Sequence, residues 1–273
     1  RVEQVAGALG AQISGVDLGR ALHPETVATI RQALLDHLVI FFHDQNFTPD
    51  SFMAFAECFG TPVGYPLVKG IEGYPYIIEI VKQAHERTNF GGIWHADTTY
   101  LDCPPMGSML HAIEVPPHGG DTQFANQYLA YETLSAPLRE FLDGLTAVNC
   151  SANADVSKTR EDLIRSAGDD TPPPAYEAEH PVVRTHPETG RKCLYVNVAH
   201  TSHFKGMTKE ESAPILEFLF RHQVRPEFTC RFRWRKGSLA FWDNRCTQHD
   251  PINDYHGFRR VMRRITLAGE RPV

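Results

Sequence analysis

The sequence predicts a mainly β protein with flanking helices, of the sandwich or barrel kind that includes jelly rolls. Short β-like runs recur along the chain with turn residues between them, while helical stretches are few. The composition, 42% hydrophobic and 22% charged over 273 residues, is that of an ordinary soluble globular protein. These observations fix a fold class but not a function.

Apolar spacing and capping residues predict four elements in the first 60 residues. Pro24 supplies the first-turn proline of a helix whose apolar residues recur at helical spacing. Thr48 and Pro49 give the next helix an N-cap and a first-turn residue. In chain order we expect a strand at 11–18, a helix at 24–38, a buried strand at 39–42 and a helix from 49 that Gly60 ends.

Short strands dominate the rest of the chain. The turn from Pro187 to Gly190 lies between two of them and predicts a hairpin. Thr208 to Glu211 has the pattern of a capping box, which marks the start of a helix. The remaining elements are predicted strands at 76–81, 106–113, 121–125, 182–186, 193–197, 228–234, 238–242 and 263–267, and helices at 128–134, 136–145 and from 208.

One segment interrupts this order. Residues 151–180 are mostly polar, contain Pro172-Pro173-Pro174 and have weak periodicity. Strands that must pair with earlier ones resume after the segment, so it is not a linker between domains. Long loops inside a compact domain tend to be functional. We therefore predict a single domain, residues 1–273, with a lid-like insertion at about 151–180.

Charge, hydropathy and cysteines limit the partners. The net charge of −6 and the pI near 6.2 argue against nucleic acid. No apolar run approaches the roughly 18–20 residues that span a bilayer, so we expect no membrane partner. The six cysteines form no C-x-x-C pair, which favours free thiols and a cytoplasmic location. The chain begins at Arg1 rather than Met, so we expect residues before it; no signal segment is visible.

The stretch Trp94-His95-Ala96-Asp97 is a candidate metal site. If it is extended, His95 and Asp97 lie on one face and offer two ligands. The alternative is a surface strand with two polar residues. Of the fourteen histidines, His249 stands out, because it follows a hydrophobic strand that ends in a polar turn. Beyond it, buried arginines on the last strand would each need an anion, and guanidinium groups suit carboxylates or sulfonates.

Several motifs together resemble the taurine dioxygenase family of Fe(II)- and 2-oxoglutarate-dependent oxygenases. They are Trp94–Asp97, the loop Gly119–Thr122, Trp242–His249, and Arg260 with Arg264. The similarity covers almost the whole chain, from about residue 7 to residue 270. It implies the double-stranded β-helix, a jelly-roll barrel, with Fe(II) as cofactor and 2-oxoglutarate and O2 as cosubstrates.

The resemblance also implies roles for residues. His95, Asp97 and His249 would be the metal ligands and the catalytic centre, leaving three iron positions open. Arg260, with the Thr122 hydroxyl beside it, would bind the far carboxylate of 2-oxoglutarate.

The substrate side is expected to contain four residues. Arg264 would bind an anionic substrate group, and Tyr65, Val68 and His200 would line the pocket. Tyr65 and Gly91 stand where the taurine enzymes have the His and Asn that hold taurine, which argues against taurine itself.

The implied reaction couples decarboxylation of 2-oxoglutarate, to succinate and CO2, with hydroxylation of a small organic anion. That anion would be an aryloxyalkanoate, an alkylsulfonate or a sulfate ester, and C–O or C–S cleavage would often follow. The presence of Asp97 favours hydroxylation over halogenation. Two alternatives stay open: a taurine dioxygenase proper, and a jelly-roll metal-binding protein without oxygenase activity. The family also implies a homo-oligomer, a dimer or a tetramer.

Overall fold

The structure, a computed structural model, describes residues 1–66, 68–153 and 176–273, and is mainly β. The first eight strands are β1 Val2–Gln4, β2 Ala11–Ile13, β3 Val39–Phe42, β4 Pro62–Val63, β5 Ile78–Lys82, β6 Gly107–Glu114, β7 Thr122–Asn126 and β8 Thr146–Cys150. The others are β9 Glu177–Pro181, β10 Val183–Thr185, β11 Lys192–Leu194, β12 Thr201–Phe204, β13 Thr229–Phe232, β14 Leu239–Asp243, β15 Thr247–Pro251 and β16 Arg260–Leu267. The helices are α1 Pro24–His37, α2 Pro49–Glu57, α3 Gln127–Glu132, α4 Ala136–Asp143 and α5 Lys209–His222.

An eight-stranded sheet forms the centre of the fold. Its strand order is β1-β2-β3-β14-β6-β16-β4, and β5 pairs with β16. Strand β3 is buried on both faces, as its continuous apolar run predicts: Ile40 and Phe42 pack to one side, Val39 and Phe41 to the other. Burying each such side chain contributes about 1.5–3 kcal/mol. The large sheet therefore carries two hydrophobic cores.

Helices α1 and α2 cover one face of this sheet. Phe52 and Phe55 of α2 and Leu34 of α1 pack in the same core as residues of β3 and β14. Thr48 and Ser51 form a reciprocal capping box at the start of α2, which satisfies backbone N–H groups that would otherwise lack partners. This half of the protein is scaffold.

A three-stranded sheet, β13-β7-β15, covers the other face. Phe124 of β7 and Phe232 of β13 share a core with Phe41 and Trp242 of the large sheet. Strand β15 pairs with β7 so that His249 lies opposite Phe124. The space between these two sheets is where the predicted ligands meet.

A third region consists of the sheet β12-β8-β9, the hairpin β10-β11, and helices α3, α4 and α5 around their own apolar core. A buried polar network joins β8 to β12: Thr201 Oγ1 donates to Asn149 Oδ1 at 2.8 Å. Such polar residues explain why hydrophobic patterning missed both strands.

Most predicted elements are confirmed, including the strand at 39–42, the hairpin around 187–190 and the capping box at Thr208. The strand predicted at 11–18 is shorter and ends at Ile13, because Gly15 has φ +81°. The predicted insertion at 151–180 falls largely outside the described residues, and 177–180 belong to β9. In the described ranges, no helix has the length and apolarity that a membrane span needs.

Candidate metal and cosubstrate site

His95 and His249 are joined through their backbones. Each N–H donates to the other residue's carbonyl, at 3.0 and 2.8 Å, and this isolated β-bridge sets their ring centroids 4.2 Å apart. The imidazole of His249 finds no partner for Nδ1 in the described chain. It is oriented by packing, with the ring centroids of Trp242 and Phe124 at 4.7 and 6.0 Å. Two parts of the chain far apart in sequence thus present adjacent imidazoles.

Asp97 reaches the same place from a turn. Leu101 N–H closes the turn on Thr98 O at 3.0 Å, and Thr98 has φ 43°. The side chains of His95 and Asp97 meet, as expected, but no regular strand contains both residues: His95 lies in the β-bridge, and the turn begins at Asp97. Asn244 Oδ1 accepts the backbone N–H of Asp97 at 3.5 Å.

The ligand atoms of His95, Asp97 and His249 lie within 4.8 Å of one another. Oδ1 of Asp97 is 3.6 Å from Nε2 of His95 and 3.7 Å from Nε2 of His249. Nδ1 of His95 donates to Ile93 O at 2.6 Å, an assigned tautomer that leaves Nε2 a free lone pair. Oδ1 of Asp97 is buried and accepts no hydrogen bond from any described residue. Two imidazoles and one carboxylate are the donor set of non-haem iron, and they fit it.

Electrostatics keep these groups in the ligating state. Burial alone would raise the pKa of Asp97, but Arg264, His249 and His95 hold it well below the usual range. Burial, reinforced by His95, holds the pKa of His249 well below its ordinary value. Metal ligands must be a carboxylate anion and neutral imidazoles. At neutral pH both Asp97 and His249 meet this requirement.

Ser108 and Asn244 fix the second oxygen of Asp97, and sequence reasoning assigned them no role. The Ser108 hydroxyl donates to Asp97 Oδ2 at 2.8 Å and accepts from Asn244 Nδ2 at 3.1 Å. Trp242 Nε1 donates to Asn244 Oδ1 at 2.9 Å, which orients the amide. Asn244 lies inside the motif Trp242–His249 quoted for the family resemblance, but only the fold brings Asn244 and Ser108 to Asp97.

Arg260 presents a guanidinium that has no carboxylate partner among the described residues, close to the triad. Only 7% of the residue is exposed, and Nε and Nη2 have no hydrogen-bond partner among the described residues. The guanidinium lies 5.7 Å from the Trp234 ring centroid, and Trp234 Nε1 donates to Thr122 Oγ1 at 2.9 Å. A buried cation without an anion is costly, and the planar fork suits a carboxylate. Arg260, together with Thr122, therefore fits the far carboxylate of 2-oxoglutarate.

A pocket between the two facing sheets connects these groups. It has a volume of about 460 Å³, part of it open to solvent, and His95, His249 and both arginines reach it together with Thr122 and Trp234. The rest of its lining is apolar or aromatic: Ile80, Phe90, Leu110, Phe124, Trp242 and Pro251.

Arg264 lies against Asp97 rather than free in the pocket. Its Nη2 is 2.5 Å from Asp97 Oδ2 and donates to Ser108 Oγ at 2.9 Å. The guanidinium packs 5.0 Å from the Tyr65 ring centroid. Burial opposes its charge, yet Asp97 raises the pKa of Arg264. Nε has no partner within the described ranges, so one donor is left for an anion in the pocket.

The other predicted pocket residues differ in position. Burial raises the pKa of Tyr65 to about 12, and its ring lies 5.9 Å from that of Phe90, which lines the pocket. Val68 is half-buried, and its N–H contacts Tyr65 O at 3.5 Å. His200 is buried 6.2 Å from the His95 ring, with Nδ1 3.0 Å from Thr99 Oγ1. Of the four predicted substrate residues, only Arg264 lines this pocket; Tyr65, Val68 and His200 do not.

A second cluster, His186, Asp243 and Cys246, has its possible ligand atoms equally close together, but these groups are paired or protonated. Asp243 accepts from His186 Nε2 at 3.0 Å and from Arg245 at 2.6 and 2.8 Å. Burial raises the pKa of the Cys246 thiol well above its ordinary value. With its carboxylate fully paired and its thiol protonated, this cluster is a structural ion-pair network and not a metal site.

Comparison with known proteins agrees with this geometry. Residues 1–266 match the model of the family described as taurine catabolism dioxygenase TauD, TfdA family. The chain is 39% identical, over all of its length and 90% of the relative, to an alpha-ketoglutarate-dependent sulfate ester dioxygenase of Pseudomonas putida. It is 32% identical, over 96% of each chain, to an alpha-ketoglutarate-dependent 2,4-dichlorophenoxyacetate dioxygenase of Cupriavidus pinatubonensis.

A crystal structure of a taurine dioxygenase from Burkholderia xenovorans superposes with a TM-score of 0.85 and 41% identity, covering all of this chain and 90% of the other. Alpha-ketoglutarate is 2-oxoglutarate, so three findings point to the same chemistry: the named relatives, the His-Asp-His cluster, and two Arg260 nitrogens without a partner among the described residues. The chain belongs to the TauD, TfdA family and is a 2-oxoglutarate-dependent dioxygenase.

Proposed function

We propose that this dioxygenase hydroxylates a small organic sulfate ester with an apolar alkyl or aryl body. His95, Asp97 and His249 would hold Fe(II), and Arg260 with Thr122 would hold 2-oxoglutarate. The observation that carries the proposal is the pocket lining: two guanidinium groups among apolar and aromatic side chains, with no Asp or Glu among the described residues that line it. Such a pocket complements an anionic head on an apolar body.

The same lining disfavours taurine, whose ammonium group would meet no carboxylate there. Gly91 adds a second argument. It has φ +70°, and a Cβ at this position would lie 3.0 Å from Cε1 of His95. A side chain at residue 91 would therefore press against the His95 imidazole, and Gly91 itself has no side chain with which to hold a substrate as the Asn of the taurine enzymes would. In this pocket the zwitterion taurine would find neither a carboxylate for its ammonium group nor a side chain at residue 91.

Bound Fe(II) supplies the capacity to use O2 and 2-oxoglutarate, with release of succinate and CO2, to insert oxygen into a C–H bond. This chain's residues orient the reactants and exclude water. Arg260 and Thr122 would fix one end of the cosubstrate, and Arg264 Nε would face the sulfate group. Hydroxylation of the carbon that bears the sulfate oxygen gives an unstable product, which collapses to an aldehyde or ketone and free sulfate.

An aryloxyalkanoate is the second candidate substrate, and the dichlorophenoxyacetate relative supports it. Its carboxylate could use the same arginine, and an aryl ring suits Phe90, which lines the pocket and has the Tyr65 ring 5.9 Å away. Sulfate esters rank first because the sulfate ester relative is more similar, 39% against 32% identity. The alternative without oxygenase activity has no use for a buried Arg260 that lacks an anion.

The test is succinate formation with purified, Fe(II)-loaded protein across alkyl sulfates, aryl sulfates, aryloxyacetates, alkanesulfonates and taurine. We expect alkyl sulfates to give the highest kcat/KM, with one sulfate released per succinate, and aryl sulfates to release none, because the carbon that bears their sulfate oxygen has no hydrogen. Arg264→Lys keeps the charge but loses the planar fork, and it should raise KM for the sulfate ester. Taurine as the best substrate, or succinate formed without sulfate, would contradict the proposal.

The remaining expectations also stand as proposals. The two facing sheets around Phe124 and Trp242 support a double-stranded β-helix within one domain. All six cysteines are free thiols, in keeping with a cytoplasmic location. A homo-oligomer, dimer or tetramer, stays a prediction from the family resemblance, and sedimentation velocity would test it.

A further inference from the structure

Lys82 is a second buried cation near the cosubstrate pocket, at the end of β5. Only 4% of the residue is exposed, and Nζ has no hydrogen-bond partner in the parts of the chain that the structure describes. It lies 4.2 Å from the ring centroid of Tyr255. Lysine is almost never fully buried unless it is paired, so the position needs an explanation.

The sheet register places Lys82 directly opposite Arg260. These two residues are partners across the antiparallel pair β5 and β16, so their side chains leave the sheet on the same face and side by side. That face is the pocket face, because Ile80, two residues before Lys82, lines the pocket. Tyr255 contacts both cations: its ring lies under Lys82, and its hydroxyl is hydrogen-bonded to Arg260.

Neither cation forms an ion pair with a residue that the structure describes. Burial, with Arg260 next to it, lowers the pKa of Lys82, and burial lowers the pKa of Arg260. The carboxylate that most favours the charge of Lys82 belongs to Glu86, which is bonded instead to Gln83 N–H at 2.5 Å. Adjacent buried cations without an anion repel each other and cost stability. An anion that enters between the two sheets removes that cost.

We propose that Lys82 is a second binding residue for the far carboxylate of 2-oxoglutarate, acting beside Arg260. This inference rests on the proposed role of Arg260. The ligand class is a dicarboxylate whose keto acid end lies at the metal ligands and whose other end lies between the two cations. A 2-oxo acid without the second carboxylate, such as pyruvate, would gain nothing from Lys82.

The experiment is an anaerobic titration of the Fe(II)-loaded protein with 2-oxoglutarate and, separately, with pyruvate, followed by the visible chelate band. Lys82→Met should weaken 2-oxoglutarate binding at least tenfold and change pyruvate binding less than twofold. Lys82→Arg, which keeps the cation, should stay within about threefold of the wild type for both ligands. Lys209→Met, an exposed lysine at the start of α5, is the matched control and should leave both affinities unchanged.

Thermal unfolding in the absence of ligand distinguishes a ligand-binding role of Lys82 from a structural role. If Lys82 serves the ligand, Lys82→Met removes an unpaired charge, and its melting temperature without 2-oxoglutarate should equal or exceed that of the wild type. A lower melting temperature with equal loss of both ligands would make Lys82 a structural residue and overturn the inference.

The Arg260→Met variant distinguishes failure of the Lys82 proposal from failure of the proposed role of Arg260. A selective loss of 2-oxoglutarate in Arg260→Met but not in Lys82→Met would overturn the role of Lys82 and leave the proposed function standing. If neither variant loses 2-oxoglutarate binding selectively, this end of the pocket does not bind the cosubstrate, and the inference about Lys82 is overturned with it.

Discussion

Replacing Ser108 by alanine should weaken the metal site without touching a metal ligand. The hydroxyl donates to Asp97 Oδ2 at 2.8 Å and accepts from Arg264 and Asn244 at 2.9 and 3.1 Å. Hydrogen bonds to charged groups contribute about 1.5–3 kcal/mol each, and neutral ones about 1 kcal/mol. Asp97 and Arg264 keep their direct contact, so part of this energy is retained. We expect Ser108→Ala to cost about 2–4 kcal/mol of unfolding free energy.

The same change frees Asp97 to rotate, and loss of such a supporting contact typically lowers metal affinity by about 10–100-fold. Urea unfolding and Fe(II) titration measure the two effects. Ser238→Ala is the matched control, because Ser238 is equally buried and makes two hydrogen bonds at 3.0 Å, to His43 and Arg235, away from Asp97. Both variants should lose stability, and only Ser108→Ala should lose affinity for the metal. Unchanged Fe(II) binding in Ser108→Ala would refute the reasoning.

Three further predictions concern other parts of the site and scaffold. Gly91→Ala combines a positive φ with a methyl group 3.0 Å from His95, so Fe(II) titration should show weakened binding and urea unfolding a loss of about 1–2 kcal/mol. Burial alone would raise the pKa of Asp243, but its contacts with Arg245 and, more weakly, His186 hold that pKa well below the usual range. Its contribution to stability is thus complete above the unfolded pKa of about 3.9 and lost as pH falls further, so urea unfolding of Asp243→Asn should depend less on pH between 5 and 3. Burial raises the pKa of Cys193 to about 12, and mass spectrometry should find this thiol unmodified by iodoacetamide in the native protein but modified in urea.

Sequence patterning predicted the scaffold better than the site. The apolar run at 39–42 and the capping residues at 48–51 and 208–211 carry local signals, and those elements are confirmed. Strand β15 carries His249, yet its sequence is polar, because Thr247 and Gln248 are buried through hydrogen bonds rather than by apolar packing. Hydrophobic periodicity therefore fails to predict the strand that carries a candidate metal ligand.

Two site residues show the same limit. The resemblance implies that Arg264 binds the substrate, but its closest contact is Asp97, which only the folded structure reveals. Lys82 gave no signal in its own sequence neighbourhood, and pairing with Arg260 across β5 and β16 is what makes it notable. The spacing of residues in the chain does not contain such cross-strand contacts. Local motifs identify the ligand types, and the strand register decides their neighbours.

Anaerobic addition of Fe(II) and 2-oxoglutarate tests the central claim most directly. The claim is that His95, Asp97 and His249 hold the metal to which 2-oxoglutarate binds. The wild-type protein should develop the weak visible chelate band, and His249→Ala should develop none while keeping a cooperative unfolding transition. A band of equal strength in His249→Ala would contradict the account.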